Sequence, residues 1–499
     1  MQRRQFIQYL MGGVSAVVML PFGVSLARAQ SGKVTPLPIP VLDTGTLKDG
    51  VRVYDLNMQR GSHEFFAGVK TPTLGINASY LGSTLRMRAG ENIRLNVTNN
   101  IGETTTLHWH GMHLPARADG GPHQVIAPGK SWSPEFKVMQ EAATFWYHSH
   151  MIEKTGEQVW RGLAGMIIVD DEKADQLDLP KNYGVDDIPV VLQERLFNRD
   201  GTFAYMTSMR DSMMGMSGDV PVVNGAVNPV FTATTEKVRL RLLNGSNAGF
   251  YNLGFDDNRT FLQIGGDGSL LPESFETRRV LLGPAERAEI VVDVSDGKPV
   301  MLRSFAVEQS GGGMMGRGMM MGRGMMGGGG STFNFMQILP QANLSKSPAV
   351  PQKLVSVERL KEGAAVKTRQ FKLEMTMGPM MMMGLGKPFS INGKAMDMGR
   401  IDEVIKLGDT EIWEIGNDSP LPHPFHIHDI QFQILDRNGR PPHPGERGLK
   451  DTVIVNSGEV VRVIARFDDY GDDKRPYMYH CHILEHEDGG MMGQFIVNS

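Results

Sequence analysis

Ten of the 14 histidines fall in four short clusters: His108-Trp109-His110, His148-Ser149-His150, His423-Pro424-Phe425-His426-Ile427-His428, and His480-Cys481-His482 followed by His486. A solitary histidine is usually a satisfied core or surface group, but four H-x-H pairs in one chain are very unlikely by chance. On a strand, residues i and i+2 share a face, so each pair projects two imidazoles toward one metal region. Eight such imidazoles could enclose a multinuclear copper cluster, although imidazole also suits Zn, Fe and Ni. The single cysteine decides between them. Cys481-x4-His486-x4-Met491, joined by His423 from a distant strand, supplies one thiolate, two imidazoles and a thioether. That is the donor set of a blue-copper electron-transfer centre. An inert core thiol is the bland alternative; it carries little weight for a cysteine between two histidines. One cysteine also forbids any intramolecular disulfide.

Short alternating segments must position these residues. Leu85-Arg86-Met87-Arg88, Ile93 to Val97, Val238 to Leu242 and Val460 to Ile464 read as half-buried strands, punctuated by Gly, Pro and Asn. A loose internal repeat runs through them. A strand ending in asparagine recurs at Asn99, Asn244 and Asn417, and a turn recurs at Ala127-Pro128-Gly129, Leu282-Gly283-Pro284 and Asn456-Ser457-Gly458. Tyr147-His148-Ser149-His150 mirrors Tyr479-His480-Cys481-His482, and each is followed by a Gly-led strand from Gly165 or Gly493. With 499 residues, too many for one core, the chain reads as an all-β protein of three Greek-key β-sandwich domains. Their expected bounds are 30–170, 171–340 and 352–499. The middle unit contains no histidine and reads as a spacer.

Hydrophobic residues make up 40% and charged residues 21%, which excludes wholesale disorder. The formal charge of −4 excludes a basic nucleic-acid footprint. Residues 1–29 read as an export signal: Arg3 and Arg4 precede an apolar stretch, and Ala27-Arg28-Ala29 fits a cleavage site. Twin arginines before Phe6 resemble a signal for the Tat export machinery, which carries folded proteins. The stretch is too short, and too broken by Pro21 and Gly23, for a membrane anchor. Cleavage leaves a soluble chain, expected in the periplasm of a bacterium.

The four motifs resemble those of the multicopper oxidases, across all three units. Within that family, Thr106 to Gly111, His423 to His428 and His480 to Asp488 look most like bacterial periplasmic copper-efflux (cuprous) oxidases. The resemblance implies cupredoxin-like domains and four copper ions. It places type 1 copper at His423, Cys481, His486 and Met491, and type 2 at His108 and His426. One type 3 copper would take His110, His148 and His482, and the other His150, His428 and His480. Ser149 stands where Cys481 stands in the last unit, so the first unit has no thiolate. The implied reaction couples four one-electron oxidations of a donor to reduction of O2 to two waters. Asp119 and Glu487 match acidic residues of the family near the cluster and read as proton relays; the alternative is that they only orient imidazoles. The protein is expected to be a monomer.

The donor is read from methionine, of which there are 34. Five lie in residues 206–216, six in 375–383, and seven in the glycine run 311–330. Thioether is a soft ligand that prefers Cu(I). The 311–330 run reads as a tether that collects Cu(I), against the plainer reading of a low-complexity loop. Residues 206–216 could equally be a surface-packed helix. The long Met-rich insertion common in the third domain of copper-efflux oxidases is reduced here to Met375 to Met383. A substrate Cu(I) site is placed at Met377, Met380, Met382 and Asp418. A laccase-like oxidase of phenols or aromatic amines is the alternative, and a small organic molecule its donor.

Overall fold

The computed structural model describes residues 34–306, 332–375 and 388–498. The signal segment, the 311–330 run, and Met377, Met380 and Met382 lie outside the described residues.

The asparagine repeat has a physical basis. Strands Asn92–Asn100, Lys237–Asn244 and Thr410–Asn417 each end at or beside a buried asparagine. Oδ1 of Asn99, Asn244 and Asn417 accepts the N–H two residues on, from Ile101, Ser246 and Ser419. Each Nδ2 donates to two carbonyls: Glu103 and Ile126, Gly249 and Leu282, Leu421 and Val455. The asparagine carbonyls accept from Gly129, Ala285 and Gly458, tying in the repeated turn. An acceptor and two donors on one short stem let this residue close the strand end without water.

Each asparagine-ended strand also pairs in parallel with an earlier strand of its own unit: Val51–Phe66, Asp187–Arg195 and Lys367–Met375. The resulting sheets have seven, seven and five strands, and each unit adds a five-stranded sheet. Apolar residues of both sheets meet in a separate core for each unit, around Leu95 and Ile167, Leu240 and Leu302, and Trp413 and Phe425. Cupredoxin-like β-sandwiches are thus the architecture. Among the described residues the longest helices, Thr155–Trp160 and Met209–Met214, have six residues each.

The five-stranded sheets carry the histidines. In the first unit Ala143–His148 lies between Ala164–Asp170 and His108–His110, with His108 opposite His148. In the third, Asp472–Cys481 lies between Met492–Asn498 and His423–Ile427, with His426 opposite His480. Tyr147 faces Gly165 and Tyr479 faces Gly493 across these ladders. A Cβ at either glycine would overlap the tyrosine ring, which accounts for the glycine after each motif. In the middle unit the matching pair is Tyr251–Phe255 beside Val300–Phe305, and neither carries an imidazole.

Asn244 touches no candidate ligand, so its replacement isolates the strand-end device. Asn244→Ala breaks bonds to two carbonyls and strands buried partners, each worth about 1 kcal/mol. A destabilisation of about 2–3 kcal/mol in urea unfolding is expected; an unchanged midpoint would show that the turn holds without its asparagine.

Candidate metal centres

Cys481 ends its strand pointing opposite to His480, as strand alternation requires. Its side chain enters the third unit's core. There Sγ lies 3.2 Å from Nδ1 of His423 and 3.9 Å from Nδ1 of His486, whose two nitrogens are 3.3 Å apart. All three residues are completely buried. The outer nitrogens are held elsewhere: His423 Nε2 by Ser419 Oγ at 2.6 Å, and His486 Nε2 by the Met213 carbonyl at 3.1 Å. The Asn417 turn presents Ser419, so a repeated structural device becomes a ligand support here. His486 stacks on Phe389 with centroids 4.1 Å apart. Met491 is buried, its carbonyl accepting from Cys481 N–H and its N–H donating to the His486 carbonyl. Burial pushes the Cys481 thiol up and the His486 imidazole down to about 3. A soft cation that displaces the thiol proton fits this donor set.

The other eight imidazoles converge between the first and third units, all buried. Most divide their nitrogens, one to protein and one to a common interior. Nδ1 of His108 meets the Asp119 carbonyl, Nδ1 of His148 the Ser149 carbonyl, and Nδ1 of His426 the Asp451 carbonyl, each at 2.8 Å. Their Nε2 atoms are buried without a partner, as are His110 Nδ1 and both nitrogens of His482. Nε2 of His150, His428 and His480 stand 3.2–3.3 Å from one another. Ligand atoms gather within 4.8 Å as three sets: His108 with His426 and His428, His110 with His148 and His482, and His150 with His428 and His480. Buried, unpartnered, neutral imidazole nitrogens aimed at shared points are what copper requires of its ligands.

Both sequence-predicted acids lie against this cluster. Asp119 Oδ2 is 2.9 Å from His428 Nδ1, and Glu487 oxygens lie 3.2 and 3.1 Å from Nδ1 of His150 and His480. Burial raises Asp119 above the usual carboxylate range. Burial would raise Glu487 too, but the two imidazoles beside it hold it below. Asp418 is exposed and pairs with Lys372 at 2.9 Å; its neighbour Ser419 is the residue that reaches His423. Of the four remaining histidines, His443 and His123 are exposed, His63 bonds the Gly225 carbonyl and His113 pairs with Asp469. The sequence reading missed Asp451, whose Oδ1 lies 3.0 Å from His110 Nε2, and Arg287, which binds Asp451 at 2.8 and 2.5 Å. Neither sits in a motif. The middle unit is therefore more than a spacer, because Arg287 belongs to it and reaches the cluster's support.

Burial lowers His108, His110, His148, His150, His423, His426, His428, His482 and His486 below the ordinary imidazole value. The unfolded chain binds these protons near pH 6.5 and the fold refuses them, so stability is retained above that pH and lost below it. Copper-stripped protein should melt many degrees lower at pH 5 than at pH 8; equal melting temperatures would contradict these shifts.

Known proteins place the chain consistently with this geometry. Sequence models of the multicopper oxidase family match residues 57–174 and 366–499. A multicopper oxidase of Staphylococcus haemolyticus is 36% identical over 455 residues, 90% of each chain. The solved laccase-like multi-copper oxidase CueO of Ochrobactrum sp. shares 37% identity over 93% of this chain and all of its own, with a TM-score of 0.82. Cell division protein FtsP of Escherichia coli is 32% identical over 502 residues, 100% of this chain and 99% of its own. Two matched domains, a relative alike over nine-tenths of its length and the gathered imidazoles agree: this chain belongs to the multicopper oxidases, copper-dependent oxidoreductases that use O2 as acceptor.

Proposed function

We propose that the chain is a periplasmic cuprous oxidase, exported by Tat and active in copper tolerance. It holds four coppers: one at His423, Cys481, His486 and Met491, and three among the eight junction imidazoles. Copper bound at these residues would supply one-electron redox chemistry at the cysteine centre and O2 reduction at the imidazole cluster. The chain's own part is connection, exclusion of water and proton supply. Cys481 is covalently continuous with His480 and His482, so the two centres share one short stretch of backbone. Full burial of the imidazoles excludes bulk water from the junction. Reducing O2 to water consumes protons, and Asp119 and Glu487 are the carboxylates placed to deliver them.

One observation carries Cu(I) as the donor. The outer nitrogen of His486 is roofed by the Met213 carbonyl, on the helix Met209–Met214. That helix and its approach bear Met206 and Met209, which are 42% and 67% exposed. Exposed soft thioethers therefore lie on the same segment whose backbone reaches His486. The helix reading of residues 206–216 and the methionine reading are both served by this placement. The laccase-like reading draws on the Ochrobactrum relative, described as active towards lignin model compounds and lignosulfonate. A role in cell division, which the FtsP likeness raises, gives no use to the twelve donor residues present here.

O2 uptake with Cu(I) and with a phenol separates the donors. A higher kcat/KM for Cu(I) is expected, and replacing Met206 and Met209 by Leu should raise KM for Cu(I) several-fold while sparing the phenol. A phenol preferred by the parent enzyme, unaffected by that pair, would favour the laccase-like reading. The cysteine centre has its own test. Cys481→Ser should lose the blue thiolate-to-copper absorption and the oxidase activity together, with one copper fewer per chain and the cluster's copper retained. A blue, active Cys481→Ser enzyme would overturn the ligand assignment.

A further inference from the structure

Arg287 is completely buried and uses every donor it has. Nε donates to the Thr144 carbonyl at 2.9 Å; Nη1 donates to the Ala285 carbonyl at 3.0 Å and to Asp451 Oδ1 at 2.8 Å. Nη2 donates to the Asp267 carbonyl at 2.8 Å and to Asp451 Oδ2 at 2.5 Å. Five N–H groups thus meet five acceptors, drawn from all three units. Thr144 lies on the strand that ends at His148, and Asp451 immediately precedes the strand paired with His423 to His426. Gly111, next to His110, has φ +84°; a Cβ there would overlap Asp451 Oδ2 and lie 3.1 Å from Arg287 Nη2. The turn after the first motif is shaped around this ion pair.

The pair acts on two imidazoles at once. The Asp451 carbonyl accepts from His426 Nδ1, and its carboxylate meets His110 Nε2 at 3.0 Å. A carboxylate paired with arginine can only accept, so His110 Nε2 carries the hydrogen and Nδ1 is the lone-pair nitrogen. His108, His148 and His426 do the reverse, giving Nδ1 to protein and Nε2 to the interior. We infer that Arg287 is a positioning residue of the middle unit: by fixing Asp451 it makes His110 offer Nδ1, and so makes copper retention at the cluster depend on the docking of a unit that contributes no ligand. The inference rests on the reading that the junction holds copper. A partner in this position typically changes metal affinity 10–100-fold.

The test compares copper-loaded full-length protein with Arg287→Met, Arg287→Lys and Asp451→Asn under a chelator, following total copper and blue absorption together. Arg287→Met and Asp451→Asn should release cluster copper about 10–100 times faster while the blue absorption decays at the parent's rate. Arg287→Lys, which keeps the charge and loses the fork, should fall between. In copper-free Asp451→Asn labelled with 15N-histidine, the His110 signal should leave the Nε2–H form that the parent shows. Parent-like cluster retention in a cooperatively folded Arg287→Met would overturn the inference. If Arg287→Met fails to fold, parent-like retention and an unchanged His110 signal in Asp451→Asn overturn it instead. A parent that binds no copper at the cluster would defeat the underlying copper reading, and this inference with it.

Discussion

An imidazole has two nitrogens, and at the junction of the first and third units protein satisfies only one of them in most rings. Burying the other without a partner costs free energy, and crowding neutral rings returns little of it. The arrangement is tolerable only if the outer nitrogens are held firmly and the inner ones gain a metal. Much else in the molecule follows from this. Supports come across the junction as well as from within each unit: Asp119 of the first unit holds His428 of the third, and Asp451 of the third holds His110 of the first. Asp488 of the third unit accepts the Thr155 and Gly156 N–H groups that open a first-unit helix. The site is therefore a property of the assembled chain, with half its imidazoles from each side.

Strand periodicity then separates the two centres while keeping them adjacent. A period of two sends His480 toward the junction and Cys481 into the third unit's core. The thiol and the junction imidazoles are neighbours in sequence yet face different environments. Ser149 occupies the equivalent place in the first unit, where it donates to Gln158. Of the two frames that carry imidazoles, only the third unit's carries a thiol.

The local patterns were legible in sequence because their causes are local. H-x-H spacing reads directly as two rings on one strand face, and alternation at Ile93 to Val97 reads as a half-buried strand. The asparagine and glycine repeats were visible too, since each marks a strand end or a tyrosine packed over bare backbone. What escaped is long-range. Arg287 and Asp451 stand 164 residues apart and carry no spacing signal. Met213 reaches His486 through a backbone carbonyl, which any residue type could supply. Ser419 also escaped notice, because its role is conformational: the Asn417 turn directs Ser419 toward His423, whereas Asp418, expected at a substrate Cu(I) site, points outward to Lys372.

The middle unit, which has no histidine, meets both centres. Arg287 anchors Asp451 at the cluster, and Met213 caps His486 at the cysteine centre. Between the two, Glu485 sits in the helix that carries His486 and accepts from the Met216 N–H and Asn247 Nδ2 of the middle unit at 2.8 and 2.7 Å. A ligand-free unit can serve both centres because its contacts are to the supports of the ligands, where geometry matters and metal chemistry does not. Its strands at Tyr251–Phe255 and Val300–Phe305 keep the frame that carries imidazoles elsewhere and fill it with apolar packing. The middle unit thus meets the Asp451 carboxylate at the cluster and offers the Met213 carbonyl at the cysteine centre. A displacement of the middle unit would therefore disturb the supports of both candidate metal centres together.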